Sequence, residues 1–303
     1  MTKGFITIAT GKEYYYKLAA NLVQSYRFHT TEPLPFAIIA EEENEYTSIF
    51  DDVIVTKDSR HSFMDKFLLL SECPYDENIF LDADSLAYGD LNRYWTLFEG
   101  ASDFSAIGGN VPVEQDDGGV MYSIEGIGKF GKNLKYKCWV HAGVMFIRKS
   151  PALKKFLNDC NSIIDSYDNL SILRYSGSYD EIAFGIAMPM NEFKTVPEIP
   201  DMLAFMPCVT NVKADIVKGS FSYNRGQHVD NVIFAHFTNR ITRLPLYRYE
   251  TARLNHAVKK KDTIEGIFKA TVFYYWILVL CNGVENIVSI FKRAYNRFFG
   301  KHV

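Results

Sequence analysis

Short apolar runs alternate along this chain with longer segments in which apolar residues return at helical spacing. Phe5-Ile-Thr-Ile-Ala-Thr10 reads as a strand, and Tyr14 to Phe28 as a helix whose Leu18, Leu22, Val23 and Tyr26 share one face. Strand-like Phe36 to Ala40 and Val53 to Thr56 follow, then a helix from Ser62 to Glu72 and a strand beginning at Ile79. This rhythm predicts an α/β protein with a mainly parallel sheet covered by helices. Such sheets take ligands beyond the carboxyl ends of their strands. Thr10 and Gly11 follow the first strand, and Asp82 and Asp84 follow the strand at Ile79, so both pairs lie at such ends.

From Asn110 to Lys137 the chain turns polar and rich in glycine, with Gly118, Gly119, Gly126, Gly128 and Gly131. A loop of that length in a compact domain is expected to be functional or mobile, and acceptor choice is expected there. Val144 to Ile147 resumes the strand pattern, Ser150-Pro151 opens a helix, and Tyr179-Asp180-Glu181 opens another. A last strand, Asn231 to Thr238, carries His236 near its end, with Arg240 and Arg243 beyond it.

Composition narrows the function class. At 303 residues and 48% hydrophobic, the chain can bury a large core in one domain or in one domain with an appendage. Thirty-three basic against 36 acidic residues leave a net charge of −3, with no electrostatic footprint for nucleic acid. Five scattered cysteines without a Cys-x-x-Cys pair argue against a disulfide scaffold or a structural zinc site and for a reducing compartment. Met1-Thr-Lys-Gly runs straight into the first strand with no secretory leader, so a cytoplasmic protein is expected.

The chemistry concentrates at Asn78-Ile-Phe-Leu-Asp-Ala-Asp-Ser85. Side chains two apart leave a strand on the same side, so Asp82 and Asp84 aim two hard oxygen donors at one point. Mg²⁺ and Mn²⁺ are held by one or two carboxylates together with substrate phosphates. An imidazole from His236 would complete a mixed oxygen and nitrogen set that suits Mn²⁺ better than Ca²⁺. Lys66, Arg240 and Arg243 can add fixed positive charge beside substrate phosphates, and the carboxylate of Asp180 can face a centre that turns positive as they leave. Taken singly, each residue also has a plainer role. Asp-x-Asp occurs often in loops, Lys66 can be a solvated helix lysine, Asp180 and Thr10 can be caps, Tyr14 a core aromatic, and His141 a structural histidine beside Trp139.

The ordered set Ala9-Thr10-Gly11 with Tyr14, then Lys66, Phe80-Leu-Asp-Ala-Asp84, His141-Ala-Gly-Val144, Asp180-Glu181 and His236 resembles the GT-A glycosyltransferases of family 8, the glycogenin and lipopolysaccharide galactosyl- and glucosyltransferase family. The resemblance covers about residues 4 to 250. It implies a GT-A, Rossmann-like sheet flanked by helices over residues 1–250, with residues 251–303 as a C-terminal helical appendage. It implies Mn²⁺ (or Mg²⁺) on Asp82, Asp84 and His236, gripping the diphosphate of a UDP-sugar. It places uracil against Ala9, Thr10 and Tyr14, phosphates or sugar against Lys66, and the donor sugar beside His141, Ala142 and Gly143, with Ala83 between the two aspartates. The implied reaction moves a hexose to a glycan, glycolipid or protein acceptor with retention of configuration. The chain departs from the family where a glycine and Lys-Pro-Trp usually follow the histidine. Arg240 or Arg243 stands nearby instead, and the usual Asp-Gln is Asp180-Glu181.

Two other classes share some of these features. A haloacid dehalogenase-like phosphohydrolase also opens on Asp-x-Asp after an apolar strand, but on its first strand, whereas here three strand-like runs come before. A catalytically silent scaffold docked at a membrane is the other. Residues 271–281 are apolar but far short of the ~20 needed to span a bilayer. Beyond Gly283, Val284, Ile287, Val288, Phe291, Tyr295 and Phe298 share one helical face, opposite Lys292, Arg293, Asn296 and Arg297. Such a basic amphipathic helix suits peripheral contact of residues 264–303 with the cytoplasmic face of a membrane. Packing on the domain or on a second subunit is the competing expectation.

Overall fold

The structure, a computed structural model of the chain, describes residues 1–115, 120–172 and 179–259. Strand β1 (Lys3–Ala9) leads into helix α1 (Glu13–His29), β2 (Phe36–Ala40) and β3 (Asp52–Val55). A 3₁₀ helix, Phe63–Leu68, continues as α2 (Leu69–Glu72) into β4 (Glu77–Leu81) and β5 (Ser85–Ala87). Then come α3 (Arg93–Leu97), β6 (Phe104–Pro112), β7 (Tyr136–Arg148), α4 (Pro151–Asp165) and α5 (Tyr179–Met190). Short strands β8 (Val196–Pro197) and β9 (Ala204–Phe205) are followed by β10 (Thr210–Asp215), β11 (Ser220–Arg225), β12 (Gln227–Val229) and β13 (Phe234–His236). Helices α6 (Thr238–Ile241) and α7 (Pro245–Lys259) close the described chain.

The central sheet has the order β3-β2-β1-β4-β7-β6-β8. The pairs of β1 with β2 and β4, β2 with β3, and β6 with β8 are parallel, and only β7 runs antiparallel, to both β4 and β6. The expected α/β architecture with a mostly parallel sheet is therefore observed. Alternate strand residues feed two separate cores. Phe5, Ile38, Ile79 and Leu81 pack toward α1, while Ile6, Ile39 and Phe80 pack toward α4 and α5. Burial on both faces is why these strands read as unbroken apolar runs rather than as alternation. Phe5 is the centre of the first core, its ring 4.9 Å from Tyr26 and 5.8 Å from both Phe36 and Trp95.

Three expected elements differ. The helix from Ser62 to Glu72 divides into a 3₁₀ stretch and one α turn, because Asp65 turns inward to bonds that hold its segment against the sheet. The last strand shrinks to Phe234–His236 and lies outside the central sheet, antiparallel to β5 and parallel to β9. The loop from Asn110 to Lys137 loses its ends to β6 and β7, and Val120, Tyr122, Ile127 and Phe130 within it are buried. Tyr122 explains part of that anchoring, since its hydroxyl donates to Gly185 O at 2.7 Å.

Helix α7 runs through residue 250 and packs on α1, with Tyr247 and Leu254 buried. No described helix is long and apolar enough to cross a membrane. The expected interfacial segment 264–303, with its apolar run 271–281, lies outside the described residues.

Glu250 on α7 is fully buried, accepts a 2.6 Å hydrogen bond from Ile216 N and sits 3.6 Å from Arg253, which also pairs with Asp215 at 2.8 Å. Burial pushes its carboxyl from 4.5 up to about 7, against the pull of Arg253. The folded state then binds the proton more tightly than the unfolded chain, so stability is highest below pH 4.5 for this group and falls as pH rises toward 7. Glu250→Gln is expected to flatten the decline in melting temperature between about pH 5 and pH 8. Thermal unfolding across that range measures it, and an unchanged slope would remove Glu250 as the cause.

Candidate active site

Strand β4 delivers Asp82-Ala83-Asp84 at its carboxyl end. The backbone is held from both sides, since Asp82 N donates to Gly143 O and Phe237 N donates to Asp84 O, each at 3.0 Å. Ala83 is buried in the first core and anchors the turn between the two carboxylates. His236 arrives from β13, where it pairs with Ser85, the residue after the motif. Its Nε2 lies 3.0 Å from Asp84 Oδ1 and 3.7 Å from Asp82 Oδ2. Among the described residues this is the group of three whose potential metal-ligand atoms converge, all within 4.8 Å of one another.

These side chains fit a divalent cation. Asp84 Oδ1 is buried and makes no aligned hydrogen bond, although Nε2 is only 3.0 Å away. Two carboxylate oxygens and one imidazole nitrogen form the hard and intermediate donor set of Mn²⁺ or Mg²⁺. Gly143 makes room for the ring, because a Cβ there would stand 2.8 Å from His236 Nδ1 and 2.6 Å from His141 Cε1.

Lys66 binds the cluster together. Its ammonium donates to Asp82 Oδ2 at 2.9 Å and Ala142 O at 3.1 Å, and lies 3.1 Å from Asp180 Oδ2. Three donors meet three acceptors. The side chain is 11% exposed, so Lys66 is not the solvated helix lysine that its position also allowed. Burial opposes its charge, but Asp180 and Asp82 outweigh that and raise its pKa. Asp180 stands in the first turn of α5 with Oδ1 buried and unpartnered among the described residues. Glu181 beside it accepts from Ala142 N at 3.2 Å, and burial together with Asp180 pushes its carboxyl up to about 7.

The remaining charges follow from burial and proximity. Burial and Asp84 raise the pKa of Asp82 against the pull of Lys66. Asp84 is lowered because His236 outweighs the burial that works against its charge. His236 is raised by Asp84 and Asp82 in spite of burial. Burial, and then His236 and Lys66, keep His141 neutral, with its ring edge-on to His236 at 5.2 Å and to Phe205 at 4.9 Å.

A second group lies at the ends of β1 and β2. Ala9 is buried in the core, and the Thr10 hydroxyl donates to Asp65 Oδ2 at 2.7 Å. Asp65 also accepts from Ser59 Oγ at 2.8 Å and Arg60 N at 2.6 Å, so it fixes the segment that carries Lys66. Tyr14 shares a 2.5 Å hydrogen bond with Thr242, and the Arg243 guanidinium lies 5.8 Å from its ring. Arg240 is exposed on α6.

The structure thus brings Lys66, Asp82, Ala83, Asp84, His141, Ala142, Gly143, Asp180 and His236 into one cluster. Thr10, next to buried Ala9, is joined to it through Asp65, the neighbour of Lys66, whereas Tyr14 bonds Thr242 beside Arg243 and Arg240 is exposed on α6. Asp65 was not singled out by the sequence and carried no signal beyond preceding Lys66. Glu181 was noted only as the departure from the Asp-Gln of the resembled family and was given no role of its own.

No protein-family model and no curated protein matches the chain. Among solved structures it is similar to the galactosyltransferase LgtC in complex with donor and acceptor sugar analogues, at 14% identity over 86% of this chain and 96% of that chain, with a TM-score of 0.47. It is also similar to the apo bifunctional glycosyltransferase WbbM, at 14% identity over 67% of this chain and 40% of that one, TM-score 0.44. The glycosyltransferase GlyE of Streptococcus pneumoniae TIGR4 matches at 14% identity over 66% of this chain and 46% of that one, TM-score 0.41.

Gly143→Ala is expected to displace His236 and weaken Mn²⁺ binding by roughly 10–100-fold, as loss of a supporting contact does, with unchanged far-ultraviolet circular dichroism. Calorimetric titration of Mn²⁺ measures this, and wild-type affinity would show that the ring does not depend on the glycine. Asp65→Ala strands the Arg60 amide and two hydroxyls, and is expected to lower stability by about 1–3 kcal/mol in denaturant unfolding.

Proposed function

We propose that the protein is a metal-dependent glycosyltransferase of the GT-A kind resembling family 8, moving a hexose from a UDP-sugar to a glycan, glycolipid or protein acceptor with retention of configuration. The observation that carries this reading is the convergence of Asp82, Asp84 and His236 at the carboxyl end of a parallel strand, directly beside the Lys66–Asp180 pair. Mn²⁺ or Mg²⁺ on those three residues would neutralise the charge that develops on a departing diphosphate.

The chain's own residues then have separable tasks. Lys66 holds a fixed positive charge at the metal-binding carboxylate and orients the Ala142 carbonyl. His141, Ala142 and Gly143 border the sugar, and Asp180 presents a buried carboxylate to a sugar that becomes positive as its bond to the diphosphate lengthens. Arg240, exposed on α6, would pair with the diphosphate, as a guanidinium suits phosphate oxygens. Ala9, Thr10 and Tyr14 contact the base.

The third ligand drawn from β13 and the motif's place on the fourth strand favour transfer over a phosphohydrolase, whose chemistry has no use for His236. Residues 264–303 are proposed to hold the enzyme at the cytoplasmic face of a membrane, near a lipid-linked acceptor. Removing them should shift the protein out of the membrane fraction.

A thermal-shift and hydrolysis screen of UDP and UDP-hexoses with and without Mn²⁺ tests the main reading. UDP at about 100 times its dissociation constant stabilises by about 2.7 kcal/mol, and here that shift is expected only with metal. Asp84→Asn should abolish it while the apo variant still unfolds cooperatively. A UDP shift indifferent to metal in the wild type would reject the metal-dependent assignment.

A further inference from the structure

We infer that Glu41 is a nucleoside-recognition residue, the acceptor for a hydrogen-bond donor on the nucleoside of the sugar-nucleotide. The inference rests on the proposed use of a nucleoside diphosphate sugar and assigns a residue that the set Ala9, Thr10 and Tyr14 does not contain.

Its place in the topology is the first observation. β1, α1 and β2 form a βαβ unit in which Ala9 pairs with Ala40, so Gly11 and Glu41 emerge side by side just past the two carboxyl ends. A carboxylate at the end of the second strand of such a unit is where nucleotide ribose hydroxyls find their acceptor. Glu41 is joined to that loop directly, since its Oε2 accepts from Gly11 N at 2.5 Å. Gly11 has φ +79°, and an added Cβ there would lie 3.6 Å from the His61 ring, so His61 roofs the same spot.

The second observation is unused capacity. An ionised carboxylate offers about four lone-pair sites. Gly11 N takes one, and His61 Nε2, 2.7 Å from Oε1, takes another. The carboxylate is 32% exposed and its imidazole partner 62%, so the remaining lone pairs are open to solvent and the pair itself is weak. His61 and the Gly11 amide hold the Glu41 carboxyl below its ordinary range, which keeps it ionised and a pure acceptor.

A pure acceptor selects for donors. On a uridine nucleotide these are the ribose hydroxyls and the N3–H imide, and cytosine presents a lone pair at that ring position instead. The two sources are separable by ligand. Affinities of the full chain with saturating Mn²⁺ would be measured for UDP, 2′-deoxy-UDP and CDP, in the wild type and in Glu41→Gln. Wild type is expected to prefer UDP about tenfold over one of the two analogues, the worth of one charged hydrogen bond. Glu41→Gln should weaken UDP by a similar factor and erase that preference. Loss of the preference over 2′-deoxy-UDP assigns the ribose, and loss of that over CDP assigns the base.

Mn²⁺ binding without nucleotide should not change in the variant, which shows that the fold and the Asp82 cluster survive. Glu41→Asp, with the charge drawn back by one methylene, provides the same comparison should the amide disturb the loop. Unchanged preferences in both variants overturn the inference and leave the transferase reading intact. Failure of wild type to bind any of the three nucleotides overturns both.

Discussion

Four carboxylates, those of Asp82, Asp84, Asp180 and Glu181, gather in a largely buried cluster that opens to solvent at Asp82 and Asp84, and Lys66 brings its ammonium into their midst. An unpaired buried charge is far costlier than a paired one, so the lysine must reach several partners at once. Its contacts with Asp82, Asp180 and the Ala142 carbonyl tie together the end of β4, the first turn of α5 and the strand between β4 and β6. His236 compensates the other side, between Asp82 and Asp84, and partial protonation relieves Glu181. Negative charge remains in excess at one point, and that excess makes the point receptive to a cation.

The sheet supplies the geometry that this electrostatics requires. Had every strand run parallel, the segment 141–143 would have lain at the opposite edge from the aspartates. Because β7 is reversed, Val144 pairs with Leu81, and the three residues before it lie beside Asp82. The small sheet of β5, β13 and β9 adds His236 from across the crevice, and Gly143 keeps the space into which that ring fits. The nucleoside end is built from different parts, the tips of β1 and β2, and Asp65 links it to the charged cluster through the backbone next to Lys66.

Much of this could be read in advance. Apolar runs buried on both faces announce themselves as strands, and helices with one apolar face announce theirs, so the order from β1 to β4 is legible. The same periodicity misjudged Asn231 to Thr238, because an apolar stretch looks alike whether it enters the main sheet or a three-residue strand outside it. Glycine count suggested a loose loop at 110–137, yet Tyr122 and Ile127 are buried there, since scattered apolar residues outweigh the glycines between them. Asp65 and Glu41 escaped notice for a related reason. A lone acidic residue in a loop has no periodic signal, and its importance arises from partners far along the chain.

Sequence by itself determined the α/β class, the placement of Asp82 and Asp84 at a strand end, and the candidate set that includes Lys66, Asp180 and His236. The class follows from local rules, the two-residue pleat and the helical repeat, whereas the candidate set follows from the ordered motifs that resemble family 8, and the two aspartates themselves stand in a turn after β4 rather than in the strand. Tertiary structure alone decided the reversal of β7, the burial of Lys66 between two aspartates, the separate sheet that presents His236, and the partnership of Glu41 with Gly11 and His61. Each of these depends on which distant segments share a low-dielectric space, and only the folded chain sets that distance.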